Sequence, residues 1–310
     1  MLYVTTRSGR DVYTPAWTFR SDRAADGGFY IPYRMPQFEE HQLKALESMS
    51  MGQCIAMLLN KFCRCHLTAW DVERAIGKRP VRICGVGHRM MMAELWHDLG
   101  GSYDSLERHL AALVRGDYQP EQNVSSWLRI AIRVSVLFAL YAGLAAIGEA
   151  EWDKIVDVAV PADDFSAVMS VAYARAMGLP VANIICGCTE QSGLWDFFRY
   201  GQLNTDAELP FELERLICAG GGWKCTEQFL NCCKQRRIYR PADWQLCQIC
   251  ADMHCCVISP QRIPMLQGSM LSANSRAIGT AAAMAYGALM DYRASTGEGR
   301  VAILLSEERP

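Results

Sequence analysis

Apolar side chains recur at helical spacing in some segments of the chain and form short β-branched runs in others. Leucine, methionine, isoleucine and phenylalanine follow a helical period between residues 42 and 65, which predicts one helix there. Leu106, Leu110 and Leu113 predict another helix that begins near Ser105. Helix is therefore the predominant predicted element.

A compact apolar run at residues 155–160, IVDVAV, ends at Pro161 and is typical of a buried parallel strand. Helical spacing over residues 167–177 follows, then a Gly-Leu-Pro stop and a second apolar strand at residues 181–186. Another strand is predicted at residues 89–96. The sequence thus predicts an α/β fold, rich in helix, with a mostly parallel sheet.

The longest apolar stretch, VSVLFALYAGLAAI, covers the 14 residues 134–147. A helix that spans a membrane needs about 20 apolar residues, so we expect a buried core helix here. The first seven residues lack the apolar region of a signal peptide. The sequence therefore predicts a cytoplasmic protein that does not bind membranes.

The chain of 310 residues contains 31 Lys and Arg residues and 33 Asp and Glu residues, so its charge is nearly balanced. The formal net charge of −2 gives no electrostatic basis for binding nucleic acid or an acidic membrane. Hydrophobic residues make up 51% of the chain, too many for a disordered protein. A folded protein without a nucleic-acid partner is expected.

Fourteen cysteines are present, and a chain of this length needs no disulfides to be stable. Cys247 and Cys250 have the spacing of a zinc site, and His254 and Cys255 follow. Cys255 and Cys256 are adjacent, however, and adjacent side chains on a helix point in different directions. We therefore predict free thiols on helical faces and no metal. A zinc ion held by Cys247, Cys250, His254 and Cys255 is the alternative.

Two segments near the N-terminus, 3–7 (YVTTR) and 25–32 (ADGGFYIP), resemble the opening of threonine synthase. Further matches keep the order of that family; they are 94–97 (ELWH), 158–161 (VAVP), 174–180 (ARAMGLP), 196–201 (DFFRYG) and 210–216 (PFELERL). The resemblance is clear to about Leu216 and weak from there to Pro310. It divides the chain into an N-terminal domain, 1–97, and a large-domain remnant with a helical C-terminal part, 98–310.

The resemblance implies the pyridoxal phosphate (PLP) fold shared with tryptophan synthase β. In that family a lysine binds PLP as a Schiff base, and glycine-rich backbone holds the PLP phosphate. Threonine synthase uses PLP to convert O-phosphohomoserine to threonine. The chemical residues of the family are largely absent from this sequence.

The family motif His-Gly-Pro-Thr-x-x-Phe-Lys, counted from His97, places Asp104 where the family has the lysine. A carboxylate cannot form a Schiff base, so no catalytic residue is expected at this position. Asp104 and Glu107 fit a capping box, which predicts that Asp104 caps a helix. His97, Ser102 and Asp104 are the candidates for a vestigial cleft.

The phosphate-binding loop has also changed, because Pro-Thr-Gly-Asn-Phe-Gly-Asn in the family is replaced here by residues 161–167, PADDFSA. Both glycines are lost, and two carboxylates would repel a phosphate. The vestigial positions are Asp163, Asp164, Phe165 and Ser166. A late family motif survives only as Ser272, Asn274 and Ser275, which predict capping residues at a helix start.

Only nine residues separate Val114 from Val124, where the family has several βα units. A connection of this length suits a loop and cannot contain a βαβ unit. The small domain that clamps the cofactor is therefore predicted to be deleted. Its loss would expose apolar residues at 90–92 and 134–147, which predicts a homo-oligomer.

Two functions remain open. The first is a noncatalytic, threonine synthase-like pseudoenzyme that binds a small metabolite or a protein partner and needs no cofactor. The second is an active lyase or transferase related to threonine synthase, with altered chemistry at His97, Asp104 and the carboxylates of residues 163–164. PLP held without a covalent bond is a further alternative.

Overall fold

Two β-sheets organise the computed structural model, which describes residues 1–78, 81–95, 103–117, 119–152, 154–162, 165–250 and 252–310. The strands are β1 Tyr3–Thr5, β2 Tyr30–Pro32, β3 Arg82–Gly85, β4 Met90–Glu94, β5 Val156–Pro161, β6 Val181–Cys188, β7 Met253–Val257 and β8 Ala302–Ser306. β1 and β2 form an antiparallel pair, and the other six strands form one sheet in the order β3-β4-β8-β5-β6-β7. β3 runs antiparallel to β4, whereas all other neighbouring pairs of this sheet are parallel.

Helices cover both faces of the six-stranded sheet. The α-helices of the described residues are α1 Pro15–Thr18, α2 Glu40–Leu46, α3 Met51–Cys63, α4 Ala69–Ile76, α5 Tyr103–Arg115, α6 Ser126–Ala146, α7 Phe165–Ala176, α8 Leu194–Tyr200, α9 Leu213–Gln235, α10 Asp243–Ile249, α11 Ile263–Asn274 and α12 Thr280–Thr296. α12 packs on one face, where Met92, Ala159 and Leu304 belong to the same apolar cluster. α7 packs on the opposite face, and α6 and α3 stack behind it. The predicted α/β class with a mostly parallel sheet is confirmed.

α6 is the central helix of the core. Among the described residues it is the one helix long and apolar enough to cross a membrane, and 83% of its most apolar window is buried inside the molecule. Trp127, near its start, packs edge-on against Tyr3, Phe62 and Tyr173 from three other elements. The prediction of a buried core helix at residues 134–147 is confirmed for the part that lies in α6.

The predicted βαβ unit is present as β5, α7 and β6. β5 is buried along its whole length and pairs in parallel with β8 on one side and β6 on the other. Gly178 ends the helical segment with φ +108°, and a Cβ there would lie 2.9 Å from the backbone oxygen of Phe38. Only glycine fits this stop without strain.

The single helix predicted over residues 42–65 is wrong, because α2 and α3 are separate helices. Ser50 begins the second of them by accepting a hydrogen bond from the Gln53 backbone N–H at 3.2 Å. The Gln53 side chain accepts one in return from the Ser50 N–H at 2.7 Å. This capping box starts a new helix although the apolar period continues across it.

The predicted boundary at residue 97 crosses one continuous core. Tyr3 lies against Trp127, and its hydroxyl donates a hydrogen bond to the backbone oxygen of Phe62 at 2.8 Å. β4 lies in the same sheet as β5 to β8. The division into 1–97 and 98–310 stays a prediction, and the two parts share their packing.

The apolar surface predicted beside the deletion lies inside the molecule. Met90 and Met92 of β4 are buried against α11 and α12, and residues 134–142 of α6 are all buried. These residues are not available to a second copy, whereas Ile147 at the end of the predicted run is 65% exposed. The physical reason given for a homo-oligomer is therefore wrong for most of these residues. Self-association itself stays a prediction.

Candidate functional site

The carboxyl ends of β4, β8 and β5 lie side by side, which is where open α/β sheets usually bind ligands. The resemblance places the cofactor site at the same edge. Residues 96–102 and 163–164 lie outside the described residues, and the predictions for His97, Ser102, Asp163 and Asp164 fall there. The described part of the edge is formed mainly by α5, α6 and the residues that follow β8.

Three charged residues from separate elements meet at this edge. The Nε of Arg133 in α6 donates a hydrogen bond to Oε1 of Glu107 in α5 at 2.5 Å. Its Nη1 and Nη2 donate to the two carboxylate oxygens of Glu307, just after β8, at 2.7 and 3.1 Å. The three side chains are 6%, 1% and 13% exposed. We call Glu107, Arg133 and Glu307 the Arg133 cluster.

Tyr103, at the start of α5, contacts both Glu307 and Arg133 of the Arg133 cluster. Its backbone N–H donates a hydrogen bond to the backbone oxygen of Glu307 at 2.9 Å, and the Arg133 guanidinium lies 4.9 Å from its ring centroid. The cavity between these residues, Leu95 and Ala167 measures about 10 Å³. That is about the space of one water molecule. The residues present here do not fit PLP, which is far larger.

Asp104 lies on the surface of α5 rather than in the cavity. It is the second residue of the helix, and its carboxylate pairs with Arg108 at 2.7 Å, with both side chains well exposed. The predicted capping box is wrong, since Asp104 lies within the helix and Glu107 faces Arg133 instead of the helix start. Asp104 therefore pairs with the next turn of its own helix.

No lysine takes over the missing position in the part of the chain that the structure describes. All six lysines are exposed; they are Lys44, Lys61, Lys78, Lys154, Lys224 and Lys234. A lysine that holds PLP must reach an enclosed cofactor, and none of these residues lines the small cavity. The chain thus offers no buried amine for a Schiff base.

Phe165 and Ser166 open α7, and both side chains are buried. The backbone oxygen of Ser166 accepts a hydrogen bond from the Ser170 hydroxyl at 2.6 Å, within the helix. Neither side chain is available at the surface for an anion. These two vestigial positions contribute to packing.

The late motif has a different position from the predicted one. Ser272 and Asn274 belong to the last turn of α11, and Ser275 ends that helix with φ +53°. The next helix, α12, starts five residues later at Thr280. The expectation of capping residues at a helix start is wrong, because a left-handed residue at position 275 ends a helix.

The four zinc candidates lie on two elements. Cys247 and Cys250 lie at α10, whereas His254 and Cys255 belong to β7, so the prediction that the cysteines at 255 and 256 lie on a helical face is wrong. The Sγ of Cys255 lies 3.1 Å from that of Cys188 on β6. The described residues contain no group of three or more His, Cys, Asp or Glu side chains placed to hold a metal.

Burial controls the chemistry of most thiols. It raises the pKa of Cys54 and Cys250 to about 12 and that of Cys218 and Cys256 to about 11. A hydrogen bond from the Cys63 thiol instead lowers the pKa of Cys65. Cys247 is the one exposed cysteine of the fourteen.

We expect two thiols to react quickly with Ellman's reagent at neutral pH, those of Cys247 and Cys65. The thiols of Cys54, Cys218, Cys250 and Cys256 should react about a hundredfold more slowly, because so few of them are ionised. Stopped-flow absorbance measures the phases. Cys247→Ser and Cys65→Ser should each remove part of the fast phase, whereas Cys218→Ser should leave it unchanged. A fast phase that survives both substitutions would contradict the assignment.

Sequence reasoning missed Arg133 and Glu307. One signal was present, because Arg133 stands in the apolar run IAIRVSV, and a charge on a buried helix face needs a partner. Nothing in the sequence identified Glu307 as that partner, since 174 residues separate the two.

Comparisons with known proteins place this geometry in context. Residues 2–78 match the family model of the threonine synthase N terminus. The PLP-bound threonine synthase of Brucella melitensis superposes with a TM-score of 0.84 at 17% identity, covering 100% of this chain and 89% of that one. Threonine synthase from yeast gives a TM-score of 0.81 at 14% identity, covering 99% and 87%. At these identities the superpositions show the fold alone.

A curated human protein, threonine synthase-like 1, is 29% identical over 79 residues. That segment is 26% of this chain and 11% of the human protein, so the match spans about a tenth of that relative. Together with the solved structures, it confirms the predicted resemblance and the predicted fold.

Proposed function

Since this threonine synthase-like chain has the N-terminal segment and the fold of threonine synthases, we propose that it is a noncatalytic relative of those enzymes. It would act by binding a small metabolite or a protein partner, without PLP. The observation that carries the proposal is the Arg133 cluster, which occupies the described part of this edge between α5, α6 and the residues after β8.

Charge and space both support this proposal. A PLP molecule at this edge would have to displace the guanidinium of Arg133 from Glu107 and Glu307, and separating a buried ion pair is strongly unfavourable. It would also need a lysine where Asp104 stands. Noncovalent PLP has no room in the cavity of about 10 Å³ beside Arg133.

Altered catalysis has less support. Of its candidates, His97 and the carboxylates of residues 163–164 lie outside the described residues, and the carboxylate of Asp104 pairs with Arg108 on the surface of α5. We also propose a cytoplasmic location, because all fourteen cysteines are free thiols and suit a reducing compartment. Self-association remains part of the proposal, through a surface other than the one predicted from the sequence.

We expect the purified protein, reduced with borohydride as isolated and without added PLP, to carry no stoichiometric pyridoxyl group on any lysine. The reason is that no lysine lines the cavity beside Arg133 and that position 104 holds an aspartate. Peptide mass mapping gives the result, and yeast threonine synthase serves as the positive control. Asp104→Lys should also stay unmodified at residue 104, because the Arg133 cluster remains. A stoichiometric pyridoxyl-lysine, or release of phosphate from O-phosphohomoserine above the heat-denatured control, would overturn the proposed function.

A further inference from the structure

β7 forms one edge of the six-stranded sheet, and no described residue pairs with its outer side. The ladder to β6 includes hydrogen bonds from the Ile184 N–H to the Asp252 oxygen at 2.8 Å and from the Ile258 N–H to the Cys188 oxygen at 2.9 Å. Because backbone groups alternate along a parallel strand, even-numbered residues of β7 bond to β6. The N–H and C=O groups of Cys255 and Val257 therefore point outward.

A groove of about 580 Å³ runs along this outer edge. Its floor is Cys255 to Val257, one wall is α8 with Trp195 and Asp196, and the other wall is α12 with Asp291 and Ser295. The outward backbone groups of β7 thus lie in a groove between two helices. Such an edge can accept a further strand.

The β7 strand itself has none of the sequence features that commonly block strand addition. The β7 sequence, MHCCV, contains no proline, lysine or other charged residue, and its pairing with β6 has no bulge. β3 at the opposite edge begins with the exposed Arg82. Sheet edges in natural proteins are commonly blunted by charges, prolines or bulges, so β7 is the edge open to a partner.

Acidic side chains border the groove. Glu190 and Asp196 are exposed, and neither forms an ion pair within the described ranges. Asp291 is neutralised by Arg262, whose two nitrogens lie 2.7 and 2.8 Å from its oxygens. The Arg199 guanidinium stacks 5.3 Å from the Trp195 ring centroid, so two carboxylates oppose one cation. A second copy would bring the same excess of negative charge, whereas a basic segment would be attracted.

We propose that the outer edge of β7 binds an extended, basic peptide segment of another protein. The segment would add to the sheet as a further strand, bonded to the backbone of Cys255 and Val257, and would place a Lys or Arg beside Glu190 and Asp196. The inference names the partner surface for the binding role proposed above and rests on it. A failure here would leave the PLP and phosphate-release results unchanged, so the two can be told apart.

The test is selection of random peptides from a display library on the full chain, with Val257→Pro as the matched control. The Val257 N–H points outward, so proline removes a donor for the partner and keeps the ladder to β6. We expect enrichment of peptides that alternate β-branched residues with Lys or Arg. Fluorescence anisotropy should show binding at least about tenfold weaker to Val257→Pro. Glu190→Lys and Asp196→Lys should each weaken binding of the basic peptides.

Hydrogen exchange gives a readout that does not depend on how the proline variant folds. The bound peptide should slow exchange at the amides of Cys255 and Val257 in the unmodified chain, while His254 and Cys256 are protected before it is added. No peptide enriched over the control, or unchanged exchange at residues 255 and 257, would overturn the proposal. So would a dimer in light scattering that Val257→Pro dissociates, because the edge would then hold a second copy.

Discussion

Replacing Arg133 with methionine is expected to lower the free energy of unfolding by about 3–5 kcal/mol. The substitution keeps most of the side-chain volume but leaves Glu107 and Glu307 without their shared cation. Glu307 would lose this cation beside a cavity with room for about one water, and Glu107 would keep only the partly exposed Arg129 as a cation at 3.2 Å. Urea denaturation followed by tryptophan fluorescence measures the loss.

Arg129→Met is the matched control for this prediction. Arg129 lies one helical turn earlier on α6, contacts Glu107 at 3.2 Å, and is partly exposed. Its loss should lower the free energy of unfolding by less than about 1 kcal/mol, because Arg133 still neutralises Glu107. The triple variant Arg133→Met, Glu107→Gln, Glu307→Gln should recover part of the stability by removing the buried charges. Equal losses of unfolding free energy in Arg133→Met and Arg129→Met would show that the Arg133 cluster stabilises the fold no more than a partly exposed ion pair does.

Gly187→Ala is expected to lower the free energy of unfolding by about 3 kcal/mol. Gly187 lies in β6 where α12 crosses the sheet, and an added Cβ would stand 2.4 Å from the backbone oxygen of Met284. Its next neighbours are the Met284 carbonyl carbon at 2.6 Å and the Ala285 nitrogen at 3.1 Å. All three are backbone atoms, so the helix itself would have to move away from the sheet.

Gly85→Ala provides the control in another strand of the same sheet. The nearest atom to a Cβ at Gly85 is the sulfur of Met91 at 4.0 Å, which is ordinary contact. We expect a change within about 0.5 kcal/mol. Thermal unfolding followed by circular dichroism compares the two variants. If Gly187→Ala were as stable as Gly85→Ala, the close packing of α12 on β6 would not hold.

Much of the fold could be predicted because its signals are local. β5 and β6 are buried on both faces, so each appears as a short apolar run with a glycine or proline stop nearby. The break before α3 was also present in the sequence as Ser50 and Gln53, but a continuous apolar period concealed it. The place of β8 between β4 and β5 has no local signal, because strands far apart in sequence form it.

The candidate site could likewise be predicted only where its signal lies within one segment of the sequence. The resemblance identified Asp104 as a replacement for lysine, since that comparison needs only the order of residues in one segment. The Arg133 cluster could not be predicted, because Arg133 is 26 residues from Glu107 and 174 from Glu307. Ion pairs between separate elements depend on how those elements pack, and one sequence does not reveal that.

The place of β8 also decides when the sheet can close during synthesis. β4 and β5 each pair with β8 and not with each other, and β8 ends at Ser306. Until that strand has left the ribosome, the β3–β4 hairpin and the β5–β6–β7 ladder have no strand between them. Two open apolar edges then coexist in the nascent chain, a state prone to aggregation. We therefore expect the yield of folded protein in cells to depend on chaperones that shield these edges until translation has passed residue 306.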